Sequence, residues 1–272
     1  RPVRGAGRSG ARPGRRRARR PGGPRGRHAV DGDRDVDLPP DGDTPADIEA
    51  LCRRAQSPFG PVAAVCVWPR FVAQARSLLP AGIPVAAVAN FPAGELNLAL
   101  ALADVQAIVQ AGGNEVDVVL PYRALMAGQG ATCAGFLARV RAASRPLALK
   151  VIIESGVLAT PQLIAQATQL ALAAGADFVK TSTGKTPVSA TLDAATVMLG
   201  EIAASGLATA GFKASGGIRS VQDAKVYLEL VASTLGDAAL TAQRFRFGAS
   251  GLLNDIEAVL GGQASAPTHS AY

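Results

Sequence analysis

Short apolar runs recur along this chain, and each is followed by a stretch of helical character. The clearest are Val62–Val67 (VAAVCV), Pro84–Ala89, Glu115–Leu120 (EVDVVL), Leu147–Glu154 (LALKVIIE), Phe178–Thr181, Gly211–Ala214 and Arg244–Ala249 (RFRFGA). A continuous run of this kind reads as a strand buried on both faces. Helices are predicted over Pro45–Gln56, Phe71–Leu79, Glu95–Ala111, Ala131–Ala143, Pro161–Ala174, Leu192–Ala204 and Val221–Ala232, with a last one near Leu252–Leu260. Thr44 before Pro45 is a start signal, and Gly112-Gly113, Gly175 and Gly206 are stop signals. A degenerate first strand at Val36–Leu38, stopped by Pro39-Pro40, brings the strand count to eight, spaced by roughly 22 to 34 residues. Eight such units predict an α/β chain folded as a (β/α)8 TIM barrel; a doubly wound open sheet would use the same alternation.

The chain of 272 residues is 48% hydrophobic, enough to bury a large core. No apolar run approaches the ~20 residues of a membrane span, so no membrane partner is expected. Cys52, Cys66 and Cys133 form no CxxC pair, and His28 and His269 lie in the two tails. Neither a disulfide framework nor a metal site is expected, no cofactor is implied, and a cytoplasmic location is the default.

The net charge of +7 belongs to one segment. Residues 1–36 hold 12 Arg against 3 Asp, whereas the remainder holds 16 basic and 18 acidic side chains. Residues 1–35, rich in Arg, Gly and Pro, are predicted to be a disordered basic arm. They could bind nucleic acid, but no aromatic residue is interleaved to stack on bases. They could be a plain solvated tail. The favoured reading is that they are not a natural N-terminus, because the chain starts at Arg and the text is what GC-rich DNA gives in a wrong frame. No apolar stretch follows the charges, so they are not a secretory signal. The expected organisation is the arm at 1–35, a barrel domain at 36–261 and a flexible tail at 262–272.

Charged residues inside the apolar strands carry the functional reading. They are Asp117 in EVDVVL, Lys150 in LALKVIIE, Lys180 in DFVKT and Lys213 in GFKAS. One such residue is ordinarily a satisfied ion pair or a snorkelling stem. Four on successive strands, where barrel enzymes carry their catalytic groups, point to chemistry. A lysine with a lowered pKa is a nucleophile toward carbonyls. Lys180 is the candidate, with Lys213 one strand further round lowering its pKa by like-charge repulsion and Asp117 balancing the cluster and handling protons. The imine that forms is an electron sink for making or breaking a neighbouring carbon–carbon bond.

A second theme is phosphate. Gly184 and Lys185 follow Lys180 in a turn. Gly216, Gly217 and Arg219 follow the seventh strand, and Gly248 and Ser250 follow the eighth, ahead of the last helix. Backbone N–H groups, a guanidinium and a helix N-terminus in the last two units of a barrel suit a phosphorylated ligand.

The stretches VCVWPRFV, EVDVVLPYRALMAG, LKVIIESG, ADFVKTSTGK, GFKASGGIRS and RFGAS together resemble the deoxyribose-phosphate aldolases, a class I aldolase family, from about Asp41 to the C-terminus. The resemblance implies reversible cleavage of 2-deoxy-D-ribose 5-phosphate to D-glyceraldehyde 3-phosphate and acetaldehyde, in deoxyribonucleoside catabolism. It places the imine-forming lysine at Lys180, its proton-relay pair at Asp117 and Lys213, and a supporting lysine at Lys150. It places phosphate contacts at Gly184, Lys185, Gly216, Gly217, Arg219, Gly248 and Ser250, and a tail tyrosine at Tyr272. The chain departs from the family at Asp37–Thr44, where a substrate-side Thr pair is missing, and at Gly251, where a second serine is frequent. A homodimer is the default assembly. Another imine-forming barrel aldolase, an inactive relative and a nucleic-acid-binding protein remain the alternatives.

Overall fold

The computed structural model describes residues 30–33, 43–248 and 251–266. Eight parallel strands form a closed barrel. They are β1 (Val30–Asp33), β2 (Ala64–Val67), β3 (Val85–Ala89), β4 (Glu115–Val119), β5 (Ala148–Ile152), β6 (Phe178–Lys180), β7 (Gly211–Ser215) and β8 (Phe245–Gly248). Each pairs with its neighbours in sequence, and β1 closes the ring by pairing Val30 with Phe247 of β8 and Asp31 with Ala64 of β2. A two-residue antiparallel pair, Gln56–Ser57 with Gly60–Pro61, lies outside the ring.

The first strand differs from expectation. Val36–Leu38 lies outside the described residues, and the strand that closes the barrel is Val30–Asp33, a segment assigned to the arm. The arm therefore does not reach residue 35 as predicted. The sequence VDGD carries almost no apolar pattern, so periodicity could not find it. Its pairing comes from the two edges that seven strands leave open.

Eight main helices accompany the strands among the described residues: α1 (Pro45–Arg54), α2 (Val72–Leu78), α3 (Leu98–Gln110), α4 (Gly130–Ser144), α5 (Pro161–Ala173), α6 (Leu192–Ala204), α7 (Val221–Leu235) and α8 (Gly251–Leu260). Their starts follow from capping chemistry. The side chains of Thr44, Asn97, Thr160, Thr191 and Ser220 each accept a hydrogen bond from a backbone N–H in the first turn. Thr44 with Asp47 and Ser220 with Asp223 form reciprocal capping boxes. The Asn97 cap also explains why α3 begins three residues later than predicted. Helices are amphipathic against the strands: α5 buries Ile164, Ala167, Thr168, Ala171 and Leu172, a three-and-four spacing. Burying each large side chain of this shell, such as Leu149 or Ile108, contributes about 1.5–3 kcal/mol.

The strand register sets the interior. Asp117 pairs with Lys150, Ile152 with Lys180, Lys180 with Lys213, and Lys213 with Arg246. Alternation by two then places Glu115 below Asp117 on the same face of β4.

Candidate active site

Asp117 is fully buried at the centre of a lysine cluster. Its Oδ1 accepts a hydrogen bond from Lys150 Nζ at 2.6 Å. Its Oδ2 accepts from Lys180 Nζ at 3.2 Å and from Lys213 Nζ at 3.3 Å. Three lysine side chains from β5, β6 and β7 thus meet around one carboxylate from β4. Lys150 and Lys213 are fully buried, and Lys180 keeps 3% exposure. Burial by itself would raise the Asp117 carboxyl. The ammonium groups of Lys150, Lys213 and Lys180, with the Lys150 hydrogen bond, overcome that and hold it well below the usual carboxylate range.

A second charged layer lies under the first. Lys150 Nζ also meets Glu115 Oε2 at 2.5 Å. Arg246 reaches across the barrel from β8 to the same carboxylate, with Nη1 at 2.9 Å and Nη2 at 3.1 Å. Its guanidinium lies 4.8 Å from the ring centre of Phe178. The bidentate pair fixes Glu115, and Glu115 fixes Lys150 from below. The sequence reading missed both Glu115 and Arg246. The signal was present, since Glu115 stands two residues before Asp117 on a strand and must share its face.

Just beyond the lysines the strand ends are stapled. Thr181 Oγ1 donates to Ser215 O at 3.2 Å and accepts from Ser215 N at 3.0 Å. This tie holds β6 against β7 next to the point where Lys180 and Lys213 face each other.

The loops predicted to bind phosphate converge. Gly184 and Gly216 both have positive φ, at 78° and 83°. Gly216 is a glycine for a second reason, because a Cβ there would lie 2.5 Å from Ser189 Oγ, and it would stand 3.5 Å from Gly184 Cα. Gly216 N donates to Gly248 O at 3.3 Å, joining the last two loops. A Cβ on Gly251 at the start of α8 would stand 3.9 Å from Arg219 Cγ. Gly184, Gly216, Gly217, Arg219 and Gly248 therefore lie on adjoining loops at one end of the barrel, with Lys185 next to Gly184. Arg219 is exposed, and its guanidinium has no hydrogen bond or ion pair among the described residues.

Ser250 and Tyr272 lie outside the described residues. The tail is not free from residue 262 as expected. Ser265 Oγ donates to Asp255 Oδ2 at 2.6 Å, and Ala266 N donates to Asp255 Oδ1 at 2.7 Å. Asp255 also accepts from Val221 N, the first amide of α7, at 2.7 Å. These donors hold its carboxyl below the usual range, the Ser265 hydroxyl foremost.

The family model for the DeoC/LacD family aldolases matches residues 28–257. The chain belongs to that family. It is 46% identical over 232 residues to a deoxyribose-phosphate aldolase of Agrobacterium fabrum, an alignment covering 84% of this chain and 89% of the relative. A Coccidioides immitis protein crystallised as a candidate deoxyribose-phosphate aldolase superposes with a TM-score of 0.68 at 30% identity, covering 79% of this chain and 80% of that one. The tetrameric deoxyribose phosphate aldolase of Aeropyrum pernix shares the fold at a TM-score of 0.62 and 24% identity, over 82% and 88% of the two chains. Membership makes the chain an aldolase, a carbon–carbon lyase. No helix among the described residues is long and apolar enough to cross a membrane.

Proposed function

We propose that this aldolase cleaves 2-deoxy-D-ribose 5-phosphate reversibly to D-glyceraldehyde 3-phosphate and acetaldehyde, through an imine on Lys180. The observation that carries the reading is the placement of Lys180 and Lys213 on the same oxygen of a buried, ionised Asp117 at the ends of adjoining strands. The nucleophile is the Lys180 side chain with its ammonium deprotonated. The resulting amine attacks C1 of the open-chain sugar, and water leaves as the imine forms. The C2–C3 bond then breaks. Its electron pair moves toward the iminium to give an enamine, and the C3 hydroxyl proton leaves as the new aldehyde departs. Protonation of the enamine at C2 and hydrolysis release acetaldehyde and restore the amine.

Lys213 is the group we assign to the proton steps, with Asp117 holding it in place. A carboxyl kept well below its usual range is a weak base, which favours the lysine over the aspartate for that work. Lys150 supports Asp117 from its other oxygen. Gly184, Lys185, Gly216, Gly217, Arg219, Gly248 and Ser250 are assigned to the phosphate, and Tyr272 to the proton step from the tail. Three free thiols, Cys52, Cys66 and Cys133, favour a cytoplasmic setting.

Borohydride added with acetaldehyde should reduce the imine and leave a two-carbon adduct on Lys180, located by peptide mapping. An adduct absent from Lys180 in folded, active protein would overturn the assignment. Arg219→Ala should lower the preference for 2-deoxyribose 5-phosphate over 2-deoxyribose by about tenfold or more, through KM, as the loss of one charge-assisted contact. An unchanged preference removes Arg219 from the phosphate site.

A further inference from the structure

Beneath the turn that carries Gly184 and Lys185 sits a carboxylate that the aldol chemistry does not use. Glu154 follows β5 and is fully buried. Its backbone is left-handed, φ 54° and ψ 58°, a conformation rare for a side chain of this size. Oε2 accepts from Thr183 Oγ1 at 2.5 Å and from Thr183 N at 3.3 Å. Oε1 accepts from Thr186 Oγ1 at 3.0 Å. Thr183 Oγ1 in turn accepts from Lys185 N at 3.0 Å. One carboxylate therefore orients the Thr183 hydroxyl and, through it, the Lys185 amide. Between these two engaged residues, the Gly184 N–H has no partner among the described residues.

The surrounding contacts press the same loop into place. A Cβ on Gly156 would lie 2.0 Å from Val188 O, so the segment after Glu154 touches the far end of the loop. On the opposite side Gly216 leaves room for Ser189. Electrostatics alone argues against this design, since a buried anion close under an anion-binding turn repels the ligand. Its presence is explained by geometry instead.

We propose that Glu154 is a positioning residue for phosphate recognition: it fixes the loop after β6 so that the Gly184 N–H is left as a donor to the phosphate of the substrate. The proposal rests on the assignment of the Gly184–Lys185 turn to phosphate. It makes a prediction opposite in sign to the electrostatic one. Glu154→Gln removes a negative charge yet should weaken phosphate binding, because an amide cannot accept from all three donors at once.

The experiment measures kcat/KM for 2-deoxyribose 5-phosphate and for 2-deoxyribose, and the inhibition constant of inorganic phosphate, with folding checked by thermal melting. Glu154→Gln should lower the preference for the phosphorylated sugar by about tenfold and raise the phosphate inhibition constant to match. Thr186→Val, at a half-buried position, should do the same by about threefold. If the buried substitution does not fold, the Thr186→Val result decides. An unchanged preference in the folded variants, or tighter phosphate inhibition, overturns the role of Glu154. The assignment of the turn fails separately: wild type would then show no phosphate inhibition and no preference, and Arg219→Ala would change neither.

Discussion

Lys180→Leu is expected to abolish carbon–carbon cleavage: kcat/KM for 2-deoxyribose 5-phosphate should fall by at least about 10⁴-fold, or roughly 5.5 kcal/mol of transition-state stabilisation. The size follows from what is removed. Without the amine there is no imine, so no electron sink stands next to the breaking bond, and neither charge nor position can substitute for it. The fold should survive. Leucine keeps most of the buried stem, while Lys150 and Lys213 remain on Asp117. Borohydride trapping with acetaldehyde disappears in the same variant. Lys213→Leu separates the roles, since it should still be trapped at Lys180 but turn over about 10²-fold more slowly, the size of a lost general acid–base group. Activity in Lys180→Leu within a hundredfold of wild type would sink the assignment, and so would trapping that moves to another lysine with turnover intact.

Asp117→Asn is expected to do the largest damage to stability. It leaves three buried lysine side chains without the carboxylate they share, and removing one partner from a buried ion cluster typically lowers stability by about 3–5 kcal/mol. For a domain of this length that is a fall in Tm on the order of 10 °C. The pH dependence has a definite sign. The folded Asp117 carboxyl lies below its unfolded value, so its contribution is fully present above the unfolded value of about 4. That contribution is lost as the pH falls through the lower folded value. The Tm gap between wild type and Asp117→Asn should therefore be level from about pH 5 to 8 and narrow below about pH 4. A gap that widens on acidification would show that the carboxyl is not held low.

Much of this was legible in the chain because strand period, caps and buried charges are local signals. Thr44 before Pro45 announces the first helix, and EVDVVL, LALKVIIE, DFVKT and GFKAS announce that four charged groups interrupt apolar strands. What alternation by two could not tell is which of them touch. The carboxylate that gathers all three lysines, and the reach of Arg246 across the barrel to Glu115, depend on register and on strands far apart in the ring. The first strand was misplaced because VDGD has no hydrophobic pattern at all, whereas Val36–Leu38 has a little. Glu154 was read as the tail of an apolar run. Its importance lies in a left-handed backbone and in threonines 29 and 32 residues later, neither of which a one-dimensional pattern exposes.

The order of the strands also bears on how the protein is made. The residues around Asp117 come from four successive strands, and each ladder between them closes a loop of about 30 residues, a modest entropic penalty. The seam that joins Val30 to Phe247 is closed only by nearly the whole described chain. Contacts of that range form slowly, and synthesis proceeds from the N-terminus. A nascent chain thus holds every member of the lysine cluster once Ser215 has emerged, while the outer edge of its first strand must wait for the eighth. Until then two strand edges stand open, and that interval is when the growing chain most needs protection from pairing with its neighbours on the polysome.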